Sequence, residues 1–219
     1  MPKRIGVVLS GCGVYDGAEI HEAVITLLAL DRMGAEAVIC APDVPQLHVV
    51  NHLTGEVAEG ESRNVLVESA RIARGNIRDI REVSADELDG LILPGGFGAA
   101  KNLCDFAVRG PECEVQEDVA ALVRAVHRQG KPIAAVCIAP ALIARVLGEE
   151  GPELTIGTDE QTAEGIEKMG ARHVDCPVRE FVVDRERRLI STPAYMLAES
   201  IGEAADGIEK TVRTLLDMA

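Results

Sequence analysis

Lys131-Pro132-Ile133-Ala134-Ala135-Val136-Cys137-Ile138-Ala139-Pro140 is the stretch that decides the fold. Ile133 to Val136 are continuously apolar, the pattern of a central strand covered on both faces. Pro140 lacks the N–H that a strand needs, yet it suits the first turn of a helix. Residues 141–147 continue as that helix, so Cys137 lies where a buried strand turns straight into a helix. A turn of this kind lifts a nucleophile out of the sheet edge. The helix N-terminus beyond it favours thiolate over thiol, so Cys137 is expected to have a lowered pKa. A small buried hydrophobe is the other reading of a cysteine at a strand end. This stretch alone does not choose between them.

Outward from the elbow, strands alternate with helices. Ile5–Leu9 reads as a strand, and a helix opens at Asp16-Gly17-Ala18-Glu19 and stops at Gly34. Ala37–Ala41 and Leu91–Leu93 are further strands, and Val115–Gln129 is an amphipathic helix closed by Gly130. The chain after the elbow carries Leu154–Ile156, a helix over Glu160–Met169, strands at Val174–Val178, Phe181–Val183 and Leu189–Ser191, and one or two helices over Met196–Met218. Residues 42–75 read as an insertion with one helix near Ser62–Arg74. This order predicts a single doubly wound α/β domain with a mainly parallel sheet, spanning residues 1–219.

Composition narrows the function. The chain is 47% hydrophobic and 26% charged, as a soluble globular protein is, with only 2% aromatic residues. A net charge of −14 and the lack of basic, aromatic-interleaved clusters exclude a nucleic-acid surface. No apolar run approaches the roughly 20 residues needed to cross a membrane. The start of the chain carries no signal-peptide pattern, so a cytoplasmic protein is expected. The six cysteines contain no C-x-x-C pair, and most of them are expected to be free thiols. Gly11-x-Gly13-x-x-x-Gly17 has the wrong spacing for a dinucleotide loop. His48 and His52 would face one another only on a helix, and Val49-Val50 argues for extended chain, so no metal site is expected there.

Three strand ends are unusual: Ser10–Glu22, Pro94–Gly98 and Cys137–Pro140. Ligands bind at the carboxyl ends of strands in such sheets. Gly95 and Gly96 let backbone N–H groups approach closely, and with the N–H of Ile138 they form a candidate oxyanion hole.

Taken together, Leu93-Pro-Gly-Gly-Phe-Gly-Ala-Ala-Lys-Asn-Leu103, Ala134-Ala-Val-Cys-Ile-Ala-Pro140 and the acidic N-terminal helix resemble the ThiJ/PfpI superfamily. Ser10-Gly-Cys-Gly-Val-Tyr-Asp-Gly-Ala-Glu-Ile-His-Glu22 with Asn51-His-Leu-Thr-Gly-Glu56 is further similar to its ElbB branch. The resemblance implies a flavodoxin-like fold related to class I glutamine amidotransferases, and a link to isoprenoid biosynthesis. It also implies glyoxalase activity on small 2-oxoaldehydes without metal, nucleotide or glutathione, and a homodimer. Cys137 matches the superfamily nucleophile and Glu22 the glutamate that hydrogen-bonds it, with Glu19 the competitor on the same helix face. Relatives that hydrolyse amides place a histidine after the cysteine. Ile138 stands there instead, leaving His21 or His52 as the histidines near strand ends. This departure weakens protease and amidotransferase readings. A redox sensor, or a binding protein without turnover, remains the alternative. A site lined by Ile138, Phe97 and Tyr15 would suit a substrate of two or three carbons.

Overall fold

The apolar runs become short strands that reach full burial only because helices cover both faces of the sheet. The computed structural model describes all 219 residues. In chain order the elements are β1 (Arg4–Val8), α1 (Ile20–Arg32), β2 (Glu36–Ala41), β3 (Val50–Asn51), β4 (Glu56–Val57), α2 (Val65–Ile72), β5 (Arg78–Asp79), β6 (Gly90–Leu93), α3 (Phe97–Lys101) and α4 (Phe106–Arg109). They continue as α5 (Glu117–Arg128), β7 (Ile133–Val136), α6 (Ala139–Leu147), β8 (Glu153–Leu154), α7 (Glu160–Lys168), β9 (Arg172–His173), β10 (Val182–Asp184), β11 (Leu189–Thr192) and α8 (Ile201–Met218). The main sheet runs β10-β11-β7-β6-β1-β2-β5, all parallel except the edge strand β10.

Period-two alternation divides the central strands between two cores. Leu91 and Leu93 of β6 pack with Val119, Val123 and Val126 of α5 on one face. Ile92, with Ala134 and Val136 of β7, packs against Ala23 and Leu30 of α1 and Ile208 and Val212 of α8 on the other. The elbow strand β7 therefore sits mid-sheet and is buried throughout.

The structure corrects two readings. Val174–Val178 is not a strand: only Arg172–His173 pairs, with β8, and Pro177 downstream has no N–H to offer a ladder. Met196 belongs to a short 3₁₀ turn (Ala194–Met196), and one helix, α8, capped by Ser200, fills the terminus. Residues 42–75 hold the β3–β4 hairpin and also α2, which carries the chain from β2 to β5 in the crossover of the doubly wound sheet.

Candidate active site

At the end of β7 the Cys137 N–H still donates to the Thr192 carbonyl at 2.9 Å, extending the pairing with β11. The backbone then turns sharply. Cys137 adopts φ +62°, a left-handed conformation that costs an L-residue of order 1–3 kcal/mol. Pro140 in the first turn of α6 fixes the exit direction. The result aims the sulfur at the carboxyl end of the sheet, with the N–H groups of Gly96 and Ile138 directed at it.

Glu22, on the first turn of α1, is wholly buried and hydrogen-bonds the Cys137 sulfur. Its Oε2 accepts from the Gly95 N–H at 2.9 Å and its Oε1 from the Tyr195 N–H at 3.2 Å. Glu19 is the N-cap of α1 and accepts the Glu22 N–H at 2.7 Å. The two glutamates thus divide the work: Glu22 meets the sulfur and Glu19 holds the helix end. Gly95 is required by space, since a Cβ there would lie 2.4 Å from the Cys137 Cβ and 2.7 Å from Glu22 Oε2. Gly96 combines φ +93° with a Cβ position 2.3 Å from the Glu19 nitrogen.

Burial and the nearby Glu19 charge push the Glu22 carboxyl up to about 8, against partial relief from its hydrogen bonds to Tyr195, Cys137 and Gly95. Burial, then the Glu22 charge, pushes the Cys137 thiol well above its ordinary value, and the Gly96 and Ile138 N–H groups only partly oppose this. The expected lowering of the cysteine pKa is therefore corrected. Removing the site from water outweighs the start of one helix. Two acids sharing a dry site cannot both ionise easily, so near neutrality the pair holds both protons or gives up one.

Gly95 needs a second correction. Its N–H is taken by Glu22, so it does not belong to an oxyanion hole; Gly96 and Ile138 are the donors left facing the sulfur. Cys137, Glu22, Gly95, Gly96 and Ile138 do come together. Above them opens a cavity of about 460 Å³, walled by Phe97, Phe106, Ile138 and Met196. Tyr15 is not part of this wall; it stacks on His52, 5.0 Å between ring centroids.

No histidine lines the cavity. His21 Nδ1 is bonded to the Tyr195 hydroxyl at 2.8 Å, and His52 is held by the Tyr15 N–H and the Val50 carbonyl. No group of three His, Cys, Asp or Glu side chains gathers as a metal site would require. All six cysteines are free.

Tyr195 was not singled out from the sequence. It follows Ala194, a fully buried residue at φ +42°, and this bend turns the Tyr195 N–H onto Glu22. The available signal was topological: β11 lies beside β7, so the turn after it must border the elbow.

The DJ-1/PfpI family model matches residues 12–195. The chain is 49% identical to the human glutamine amidotransferase-like class 1 domain-containing protein 3, mitochondrial, over 98% of its own length and 83% of the relative's. It is 47% identical to the mitochondrial ES1 protein homolog of Rattus norvegicus, over 98% and 84%. A crystal structure of an isoprenoid biosynthesis protein with an amidotransferase-like domain, from Ehrlichia chaffeensis, superposes with a TM-score of 0.91 at 39% identity, covering 99% of this chain and 100% of that one. The human and rat relatives are mitochondrial proteins, which overturns the cytoplasmic expectation. That expectation rested on the lack of an apolar leader, a feature that separates secreted chains from others and does not choose among internal compartments.

Proposed function

Because this chain belongs to the DJ-1/PfpI family, we propose that it is a cofactor-independent glyoxalase that converts 2-oxoaldehydes to 2-hydroxy acids, such as glyoxal to glycolate. One observation carries the proposal: a fully buried glutamate with no cationic partner, held against the elbow cysteine and raised to about 8. A carboxyl group in that state can take up and return a proton near neutral pH.

The chemistry closes without an oxidant. The Cys137 sulfur bonds to one aldehyde carbon and the thiol proton ends on the former carbonyl oxygen, which the Gly96 and Ile138 N–H groups face. Ionised Glu22 then removes the hydrogen on that carbon, giving an enediolate, and returns that proton to the neighbouring carbon while the hydroxyl proton passes from the first oxygen to the second. The product is a thioester of the 2-hydroxy acid, which water cleaves to regenerate the thiol. Turnover should rise with pH towards about 8 as Glu22 becomes the base.

Amide hydrolysis receives less support, since Ile138 stands where amide-hydrolysing relatives place a histidine and no histidine borders the cavity. Peroxide sensing is disfavoured by a nearly buried thiol with a raised pKa. The Ehrlichia relative is by name an isoprenoid biosynthesis protein, and the proposal places this turnover beside that metabolism. It also includes a two-fold homodimer, which light scattering at the 23.3 kDa monomer mass would remove.

Chelator-treated protein incubated with glyoxal should form glycolate, with Cys137→Ser and Glu22→Gln both inactive. Full conversion by Cys137→Ser, or a parent rate no greater than that of free cysteine, would overturn the mechanism.

A further inference from the structure

The cavity is several times larger than glyoxal requires. Glyoxal has four heavy atoms, and a water molecule occupies about 30 Å³ of liquid, so ~100 Å³ would hold it. The space over Cys137 is about 460 Å³, within the size range of sites for much larger ligands. Its walls come from separate elements: Phe97 and Ala100 on α3, Phe106 on α4, Ile138 at the elbow and Met196 after β11. Away from the sulfur the lining is mostly apolar.

Its charged groups are of one sign. Glu19 and Asp159 line the cavity, and no lysine or arginine does. Lys101 lies outside this lining, donating to the Tyr15 carbonyl at 3.0 Å and lying 5.1 Å from the Phe97 ring centroid. The whole chain adds a net charge of −14. A carboxylate or phosphate on the substrate would lose its hydration there and meet no cation.

From this we infer that the site takes a neutral 2-oxoaldehyde bearing an apolar group larger than methyl, with the tail against Phe97, Phe106 and Met196. This rests on the glyoxalase reading and specifies its substrate class.

Two measurements test it. In the first, kcat/KM is compared for glyoxal, phenylglyoxal and 4-carboxyphenylglyoxal, each divided by its rate of addition to free cysteine. Phenylglyoxal should exceed both others at least tenfold. Ala107→Lys, which places a cation on the exposed rim formed by α4, should raise the carboxylated compound relative to the neutral one. A preference for glyoxal, or equal rates for the neutral and carboxylated aldehydes, would overturn the inference and leave the glyoxalase reading intact.

The second measurement needs no turnover. Cys137 is alkylated with neutral iodoacetamide and with anionic iodoacetate, and the ratio is compared with that of the same cysteine in the unfolded chain. At least a tenfold greater preference for iodoacetamide is expected in the folded protein; an unchanged ratio would contradict the charge argument. Failure to turn over any aldehyde, with this preference present, would overturn the glyoxalase reading while supporting a neutral ligand.

Discussion

Glu22 and Glu87 are the same residue type at opposite ends of one sheet, and the fold treats them in opposite ways. Glu87, in the loop that feeds β6, accepts from the Arg78 guanidinium at 2.9 and 3.0 Å, from Arg4 at 3.2 Å and from the Ser84 N–H at 3.0 Å. Its pKa is lowered, first by the Arg78 hydrogen bond. Glu22 also has several donors, but they are neutral backbone amides and a thiol, and its pKa is raised. Amides orient a carboxylate; they do not replace the water and countercharge it loses on burial. One end of the sheet is thereby stabilised by its acid, and the other holds its acid at a cost to stability.

The largest effect should come from Glu22→Gln, which tests that contrast directly. The amide keeps the shape but cannot carry a proton, so turnover should fall about 10²–10⁴-fold. Gly95→Ala ranks next. Its methyl would overlap Cys137 and Glu22, so a loss of about 1–3 kcal/mol in denaturant unfolding is expected together with loss of turnover. Full stability in that variant would show that the pair is looser than the distances imply.

Glu19→Gln should have a more delicate effect. Removing its charge takes away the second cause of the raised Glu22 pKa, so the rising limb of the pH–rate profile should move to lower pH. An unmoved limb would leave burial as the whole explanation. Smallest is Glu87→Gln. Glu87 and its arginine partners are partly exposed, so the loss at pH 7 should be under about 1 kcal/mol. Because the folded pKa of Glu87 is lowered, that contribution exists above its unfolded value and should disappear in acid, as pH falls through the folded value.

The position of the site, though not this contrast, was legible in the sequence. Ile133–Val136 followed by Pro140 can hardly be anything but a buried strand entering a helix, and Gly95-Gly96 signals close backbone approach. Those local signals located Cys137 and its neighbours. What depended on burial was not legible: the helix start beside Cys137 predicts a lowered pKa, and only the packed site shows that desolvation prevails. Gly95 was misassigned for a related reason, since spacing shows that an N–H is available but not which acceptor takes it. Tyr195 and the cavity depth arise where α3, α4 and the turn after β11 converge, and no single stretch encodes that convergence. The Val174–Val178 error came from reading apolar residues as a strand despite Pro177.

The central claim is that Glu22 is an unpaired buried acid with a pKa near 8, and the most direct test is the unfolding free energy of the parent and Glu22→Gln measured from pH 4 to pH 9. The folded parent retains a proton on Glu22 up to about 8, whereas the unfolded chain releases it near 4.5. Between those values the folded state binds more protons, so the parent should lose stability as pH rises, and the variant should lack this loss. The account predicts that Glu22→Gln gains on the parent across that window, by an amount on the order of a few kcal/mol, and levels off above it. A difference that does not change with pH, or one that turns against the variant as pH rises, would contradict it.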